Sequence, residues 1–323
     1  MIIRKYKKGD EKKILLLDRI VETHPWNRRN LKNWFWKYKG CNPFGKSMVW
    51  VAEEKNKIVA TFAAIPMDFR LKKKIIKGAC SIAMIVHPTY QNKGLIKFVA
   101  DKLFNEVKDR KIKFIYGYPN YLAYEIHKIF FNYDDVSLQK LFLKKINSLK
   151  TFKNNYIVES ISRFNVKIDR FLKKISSQKL LYLNRSSKFL NWRYLSRPDK
   201  KYYAFQFLSS KKIISGYVIL KLYQDANVKR GHIIDLMYDS KGPEIFNQIL
   251  NFSYNFFYKK GCKEITLWLQ GDVSGEKILR KHSYTIQSKR PMICKFIDVN
   301  KKDKKIMIQK NWYFTMGDTL EIY

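Results

Sequence analysis

Apolar residues along this chain recur at two spacings, every second position and every third or fourth, and the switches between them mark its elements. MIIRKY opens with strand character. GDEKKILLLDRIVET places Ile14, Leu15, Leu17, Ile20 and Val21 at helical spacing, and RNLKNWFWKYKGCNP predicts a second helix stopping near Gly40 and Pro43. SMVWVAEE and KIVATFAAIPMDFRL predict a hairpin around Lys55 and Asn56. KGACSIAMIVHP is apolar at successive positions, as a strand buried on both faces is. The helix after it carries Ile96, Val99, Ala100, Leu103, Phe104 and Val107 on one face. KFIYGYPN predicts another buried strand, YLAYEIHKIFFNY a short helix, and DDVSLQKLFLKKI a further strand.

The same rhythm then returns. YYAFQFLSS, KKIISGYVILKLY and GHIIDLMYD predict consecutive strands, PEIFNQILNFSYNFFYKKG an amphipathic helix, EITLWLQGD a strand, SGEKILRKHS a short helix and PMICKFID a strand. Antiparallel strands followed by two parallel strands bridged by a helix describe a mixed α/β sheet. Its occurrence twice in 323 residues predicts a tandem repeat of one fold, a length that suits two domains. The expected division is 1–145, a basic helical connector over 146–180, and 181–323.

Composition narrows the class. Cys41, Cys80, Cys262 and Cys294 are scattered with no CxxC pair, so neither a zinc site nor a disulfide framework is expected, and a reducing cytoplasm fits best. No apolar run approaches the roughly 18–20 residues that span a bilayer, and the N-terminus turns charged at once, unlike a secretory signal. The formal net charge is +38, spread nearly evenly and mostly lysine, with 51 Lys to 14 Arg. An even lysine excess reads as coding bias more than as a binding stripe, because arginine is the usual base and phosphate fork. It still allows weak attraction to anionic surfaces.

The most informative stretch is IVHPTYQNKGLIKF, where a strand ends, a polar loop with one glycine follows, and a helix begins. A loop feeding a helix N-terminus presents unpaired N–H groups at the positive end of the helix dipole, which favours an anion. Gly94 lets the backbone turn tightly with no Cβ in the way, and Lys93 adds a cation.

In this context the sequence resembles the GNAT superfamily of CoA-dependent N-acyltransferases. Their signature is V-x-P, then (R/Q)-x-x-G-x-(G/A), after the fourth strand. Residues 86–88 read VHP and residues 91–96 read QNKGLI, so Gln91 and Gly94 match, while Ile96 stands where Gly or Ala is usual and crowds the helix start. The resemblance implies two tandem GNAT-like domains, each a mixed, mostly antiparallel sheet with flanking helices and a splayed parallel strand pair. It implies that the amides of Gln91, Asn92, Lys93, Gly94, Leu95 and Ile96 bind the pyrophosphate of acetyl-CoA or another acyl-CoA, with no metal. The pantetheine arm would pair with backbone near Met84 and Val86, and Asn120 would contact it or its sulfur end. His127 stands where many relatives carry a Tyr that protonates the departing thiolate; it could serve as that acid or simply as a half-buried helix residue. The second half lacks Q-x-x-G, and Pro243 after Gly242 has no N–H to offer. The second domain is therefore expected to supply substrate contacts without a cofactor loop.

The resemblance extends to two-domain bacterial members found with surface-polysaccharide synthesis, through WFWKYKGCNPFG, GYPN, KFLNWRYLSRP and NWYFTMGDTLEIY. It implies transfer of an acetyl or short hydroxyacyl group to the amine of a nucleotide-linked amino-deoxy sugar, by direct attack, in a monomer or homodimer. The fourth strand carries no Glu, the commonest base position. Asp318 is then the candidate to orient the amine, or else a turn residue beside Gly317; His24 and His87 are weaker candidates. Trp34 and Trp36, like Trp192 and Tyr194, could stack on a sugar or base or lie in the core. Arg193 could hold a carboxylate or phosphate, or cover a helix end. Two other readings are a peptidoglycan aminoacyl transferase using aminoacyl-tRNA, and a non-catalytic module for RNA or anionic lipid. The CoA-type loop and the lack of a heptad arm weigh against the former.

Overall fold

The computed structural model of the chain describes residues 1–21, 30–72, 74–199, 201–224, 227–308 and 312–320; His24 lies outside them. The first half runs β1 (Ile2–Lys5), α1 (Asp10–Val21), α2 (Leu31–Tyr38), β2 (Met48–Glu54), β3 (Lys57–Leu71), β4 (Lys74–Val86), α3 (Leu95–Asp109), β5 (Phe114–Gly117), α4 (Tyr121–Phe131) and β6 (Asp134–Lys145). The connector contains β7 (Ile157–Ser160) and α5 (Val166–Lys174), so part of the stretch expected to be helical is a strand. The remainder runs β8 (Leu181–Leu183), α6 (Ser187–Leu190), β9 (Tyr203–Leu208), β10 (Ile214–Gln224), β11 (Lys229–Tyr238), α7 (Pro243–Lys259), β12 (Glu264–Trp268), α8 (Val273–Lys281), β13 (Thr285–Phe296), α9 (Lys301–Ile308) and β14 (Trp312–Tyr313).

Helix starts follow their capping chemistry. The side chains of Asn30, Asn120 and Asp272 accept from backbone N–H groups three residues on, which satisfies donors the first turn cannot. Asn132 ends α4 in the left-handed conformation.

Among the described residues all fourteen strands join one sheet, whose main path is β1-β2-β3-β4-β5-β13-β6-β12-β11-β10-β9-β7. Read inward from its two edges the path is a palindrome. Each half builds five strands, and the sixth comes from the other half. β13 pairs β5 antiparallel, Cys294 opposite Tyr116, while β6 pairs β12 antiparallel, Thr266 opposite Leu143. The two exchanged strands then pair each other from Thr285↔Leu143 to Cys294↔Asp134. Each half thus completes its sheet with the other's strand.

The alternation of strand residues separates two cores. Ala63, Ile65, Cys80 and Ile82 face α1 and α2 and the segment 312–320, in a cluster that continues through the second half. Ala60, Phe62, Ala64 and Ala79 face α3 and the end of α4. The segment 312–320 is buried throughout: β14 pairs β8, and Phe314 bridges Gln270. Sequence reading left this segment without an element, because its burial comes from partners far off along the chain, from Tyr182 to Gln270.

Candidate active site

β4 and β5 pair in parallel only at Gly78↔Phe114, Ala79↔Ile115 and Cys80↔Tyr116. Beyond that point β4 continues to Val86 against β3 alone, so the edge facing β5 is open. Within this free stretch the β3–β4 register shifts, and Ala83 takes the left-handed conformation with φ of 53°. A bulge of this kind turns backbone groups out of the ladder. Met84 and Val86 follow it, packing their side chains on the α3 face.

Five residues past Ala83, roughly 17 Å of strand, the loop begins with a short helical turn over Pro88–Tyr90. His87 Nδ1 lies 2.9 Å from Thr89 Oγ1, Gln91 Nε2 donates to the Val86 carbonyl at 3.1 Å, and Lys93 Nζ donates to that of Thr89 at 2.9 Å. Tyr90 is tied to Glu54. Asn92 and Gly94 both have positive φ, 60° and 70°. Gly94 is the N-cap of α3 without a side-chain cap. Among the described residues no chain acceptor takes the amides of residues 92–96, whereas Lys97 N–H already bonds Gly94 O at 3.0 Å. Left-handed residues on either side of Lys93 and an uncapped helix start form a concave run of donors, an anion nest. A Cβ at Gly94 would meet nothing within 4 Å, so the space before it is open. Ile96 packs half-buried on the α3-side core with Trp50, Met84 and Tyr90.

The corresponding loop of the second half is chemically closed. Ser240 N–H donates to Gln178 Oε1 at 2.8 Å, Lys241 N–H to Asp239 Oδ1 at 3.1 Å, and Gly242 N–H to Asp239 O at 3.1 Å. The Asp239 carboxylate, held below its usual range against its own burial by Gln178, Lys241 and Lys174, puts a negative charge where the first loop has none.

Asp318 lies in a buried ionic cluster. Arg185 donates to both its oxygens at 2.9 and 2.8 Å and to both oxygens of Asp235 at 3.0 Å. Tyr194 and Tyr217 hydroxyls and Thr315 Oγ1 also donate to Asp235. Asp318 accepts from Thr315 N–H at 2.7 Å, which closes a one-turn capping box. A Cβ at Gly317 would stand 2.0 Å from the Tyr194 hydroxyl, so only glycine lets this turn dock. Burial pushes the Asp318 carboxyl up to about 6; Arg185 pulls it back and Asp235 adds to the rise. The Tyr116 hydroxyl donates to the Asp318 carbonyl at 3.1 Å. Tyr118, on the same side of the chain end leaving β5, has a buried hydroxyl with no partner among the described residues.

Arg193 is fully buried, donating to Gly317 O at 3.2 Å, Thr319 O at 2.6 Å and the Tyr202 hydroxyl at 3.1 Å. Trp36 donates to Trp192 O at 2.9 Å and stacks on Trp192 at 5.0 Å; Trp34 is buried between Tyr6 and Tyr38. These aromatics form core. Asn120 Oδ1 is occupied in capping α4. His127 lies on the other face of the sheet from Asp318, its ring against Phe62, Phe131 and Tyr133. Its Nδ1 is 2.6 Å from the Ala123 carbonyl and so carries a proton, which leaves Nε2 of the neutral ring an acceptor. Burial lowers its pKa, against that bond, and so favours the neutral form. Arg185, Asp235, Tyr118 and the Ala83 bulge were not legible as a group, since no local spacing links them.

The open amides, the splayed strand pair and the bulge follow one another along β4 and the loop after it. Residues 3–130 match the family model described as acetyltransferase (GNAT) domain. Over nearly the whole chain the fold is similar to solved structures. They include a GCN5-related N-acetyltransferase from Anabaena variabilis (15% identity, 91% of this chain and 72% of that one, TM-score 0.70). They also include the N-myristoyltransferase of Saccharomyces cerevisiae with bound myristoyl-CoA (10%, 91% and 78%, 0.64) and a tandem GNAT protein from the clavulanic acid biosynthesis pathway (8%, 93% and 99%, 0.63). Among curated proteins none matches in sequence. The architecture is thus two GNAT-like units. Among the described residues no cluster of His, Cys, Asp or Glu is placed to hold a metal, and no helix is long and apolar enough to cross a membrane.

Proposed function

We propose that this chain moves an acetyl or short hydroxyacyl group from CoA to the amino group of a nucleotide-linked amino-deoxy sugar. The observation that carries the reading is the open run of amides at residues 92–96, set beyond a splayed strand pair. In this reading 1–145 is the catalytic unit, 146–180 a connector, and 181–323 a unit that shapes the acceptor side. The pyrophosphate sits on the nest and the pantetheine extends along the free edge of β4 past Val86 and Met84. The thioester carbonyl meets a backbone N–H at the Ala83 bulge, where its developing oxyanion is stabilised by a donor fixed in advance. The neutral amine attacks directly, and the rate comes largely from alignment between the two units. Asp318, held by Arg185, orients the acceptor side through the buried segment 312–320. The amino sugar rests on motif resemblance in that segment and in 188–198.

A thermal-shift screen of acyl-CoAs against nucleotide-linked amino sugars tests this. Acetyl-CoA at about 100 times its Kd should stabilise the protein by about 2.7 kcal/mol. No stabilisation by any CoA ester rejects the site; stabilisation by CoA esters with no amino sugar acylated rejects the acceptor.

A further inference from the structure

The mechanism above lacks a group that takes the proton from the attacking nitrogen, and β4 offers no carboxylate near its bulge. Directly beneath Ala83 is an enclosed cavity lined by Ile14, Leu15, Asp18, Trp34, Tyr38, Val49, Thr61 and Ala83. It leaves about 10 Å³ for a water centre, enough for one molecule. Its apolar walls are broken by a few polar groups, each deeply buried. Asp18 on α1 is 3% exposed, Trp34 on α2 is 2%, and Thr61 on β3 is 1%. Thr61 Oγ1 and Trp34 Nε1 have no hydrogen-bond partner among the described residues. Leaving two such groups dry costs roughly 1–3 kcal/mol each, and buried polar groups of this kind are met by ordered water. The cavity is small and polar enough to keep one.

We propose that a single water held here by Asp18, Thr61 and Trp34 is the proton acceptor for acyl transfer, with Asp18 the positioning residue behind it. The water's own four hydrogen-bonding positions can be assigned. Trp34 can only donate, so it fills one lone pair of the water. The water donates one hydrogen to the Asp18 carboxylate and the other to Thr61 Oγ1. Its second lone pair remains for the nitrogen at the bulge. As nitrogen bonds the thioester carbon, the C–S electron pair leaves on the CoA sulfur. The surplus proton on nitrogen passes to the water, one of the water's protons passes to Asp18, and the thiolate later takes a proton from solvent. The titratable groups lining the cavity are Asp18 from α1 and Tyr38 from α2; β2, β3 and β4 contribute Val49, Thr61 and Ala83, which do not titrate. Lys37, also on α2, has its Nζ 5.8 Å from the Tyr38 ring. The inference rests on the acyl-CoA reading of the β4 edge.

Two measurements test it. A crystal structure at high resolution should show one ordered water within hydrogen-bond distance of Asp18, Thr61 Oγ1 and Trp34 Nε1; a dry cavity overturns the proposal without touching the acyl-CoA reading. Transfer from acetyl-CoA to a panel of nucleotide-linked amino-deoxy sugars, read as CoA thiol release, should fall about 100-fold in kcat for Asp18→Asn. The acidic limb of the pH–rate profile should vanish, and the acetyl-CoA Kd should stay within about twofold. Thr61→Val should cost about tenfold with the limb retained, and it carries the test if Asp18→Asn does not fold. An Asp18→Asn enzyme with the wild-type profile, or a Thr61→Val enzyme at full rate, removes the relay. Wild-type protein that fails to bind acetyl-CoA sinks the site reading instead, and the relay with it.

Discussion

The loops after β4 and β11 occupy equivalent places in a palindromic sheet, yet one is open and the other shut. Both follow the fourth strand of a half, and both feed a long helix. After β4, positive φ at Asn92 and Gly94 turns successive amides outward with nothing among the described residues to receive them. After β11, Gln178 and Asp239 take the amides of Ser240, Lys241 and Gly242. The same topology leaves a run of amides open in one half and a filled turn in the other. Fold repeats are cheap to keep; a binding site survives only where the backbone donors are left unspent.

The sharpest way to break this contrast is to fill the open loop. Gly94→Trp places its ring in empty space, at a left-handed position that costs a side chain about 1 kcal/mol. The protein should therefore still fold. Losing two charge-assisted bonds of about 2 kcal/mol each should weaken acetyl-CoA about 1000-fold by calorimetry. Unchanged affinity would mean the phosphates bind elsewhere.

Asp318→Asn asks what the second unit contributes. It keeps the shape of the turn while leaving Arg185 bound to Asp235. Acyl transfer should slow about 100-fold through misplaced acceptor, with acetyl-CoA affinity intact. Full turnover would confine Asp318 to its turn.

The exchanged strand can be probed by pH. His282 is pressed down to about 4 by burial and by Lys144 and Lys150, and Lys144 arrives on β6 from the other half. The folded imidazole therefore refuses a proton that the unfolded chain accepts below about 6.5. Its contribution is full above that pH and is lost as pH falls toward 4, on the order of 2 kcal/mol after allowance for partial exposure. His282→Gln should flatten the acid side of the stability curve by that amount in urea melts. An unaltered curve would show that β6 does not crowd His282 in solution.

The smallest effect belongs to the shut loop. Gln178→Ala frees Ser240 N–H and should cost about 1 kcal/mol of stability. It should leave acetyl-CoA stoichiometry at one, because Asp239 and the proline after Gly242 remain. A second bound CoA would show that only Gln178 kept the halves apart in function.

How far the sequence could be read follows from the range of each interaction. The apolar spacing of 95–107, the hairpin at Lys55 and Asn56 and the loop around Gly94 were legible, since each is decided within a few residues. His127 and Asn120 were singled out by the family resemblance, which could not say that Ala123 holds the His127 ring and its backbone occupies Asn120. Arg193, weighed as a ligand for anions, turned out to clamp Gly317 and Thr319, carbonyls more than a hundred residues away. Ile96, expected to crowd the helix start, packs into the core.

By itself the sequence determined most of the elements, their repetition and a loop able to offer bare amides, because periodicity, capping and glycine's access to positive φ act locally. The tertiary structure alone decided that β6 and β13 trade places, that Asp318 shares Arg185 with Asp235, and that Asp18, Thr61 and Trp34 meet beneath a bulge in β4. Those facts depend on chain segments that are distant in sequence and become neighbours only when the sheet closes, and no short stretch of residues encodes such a meeting.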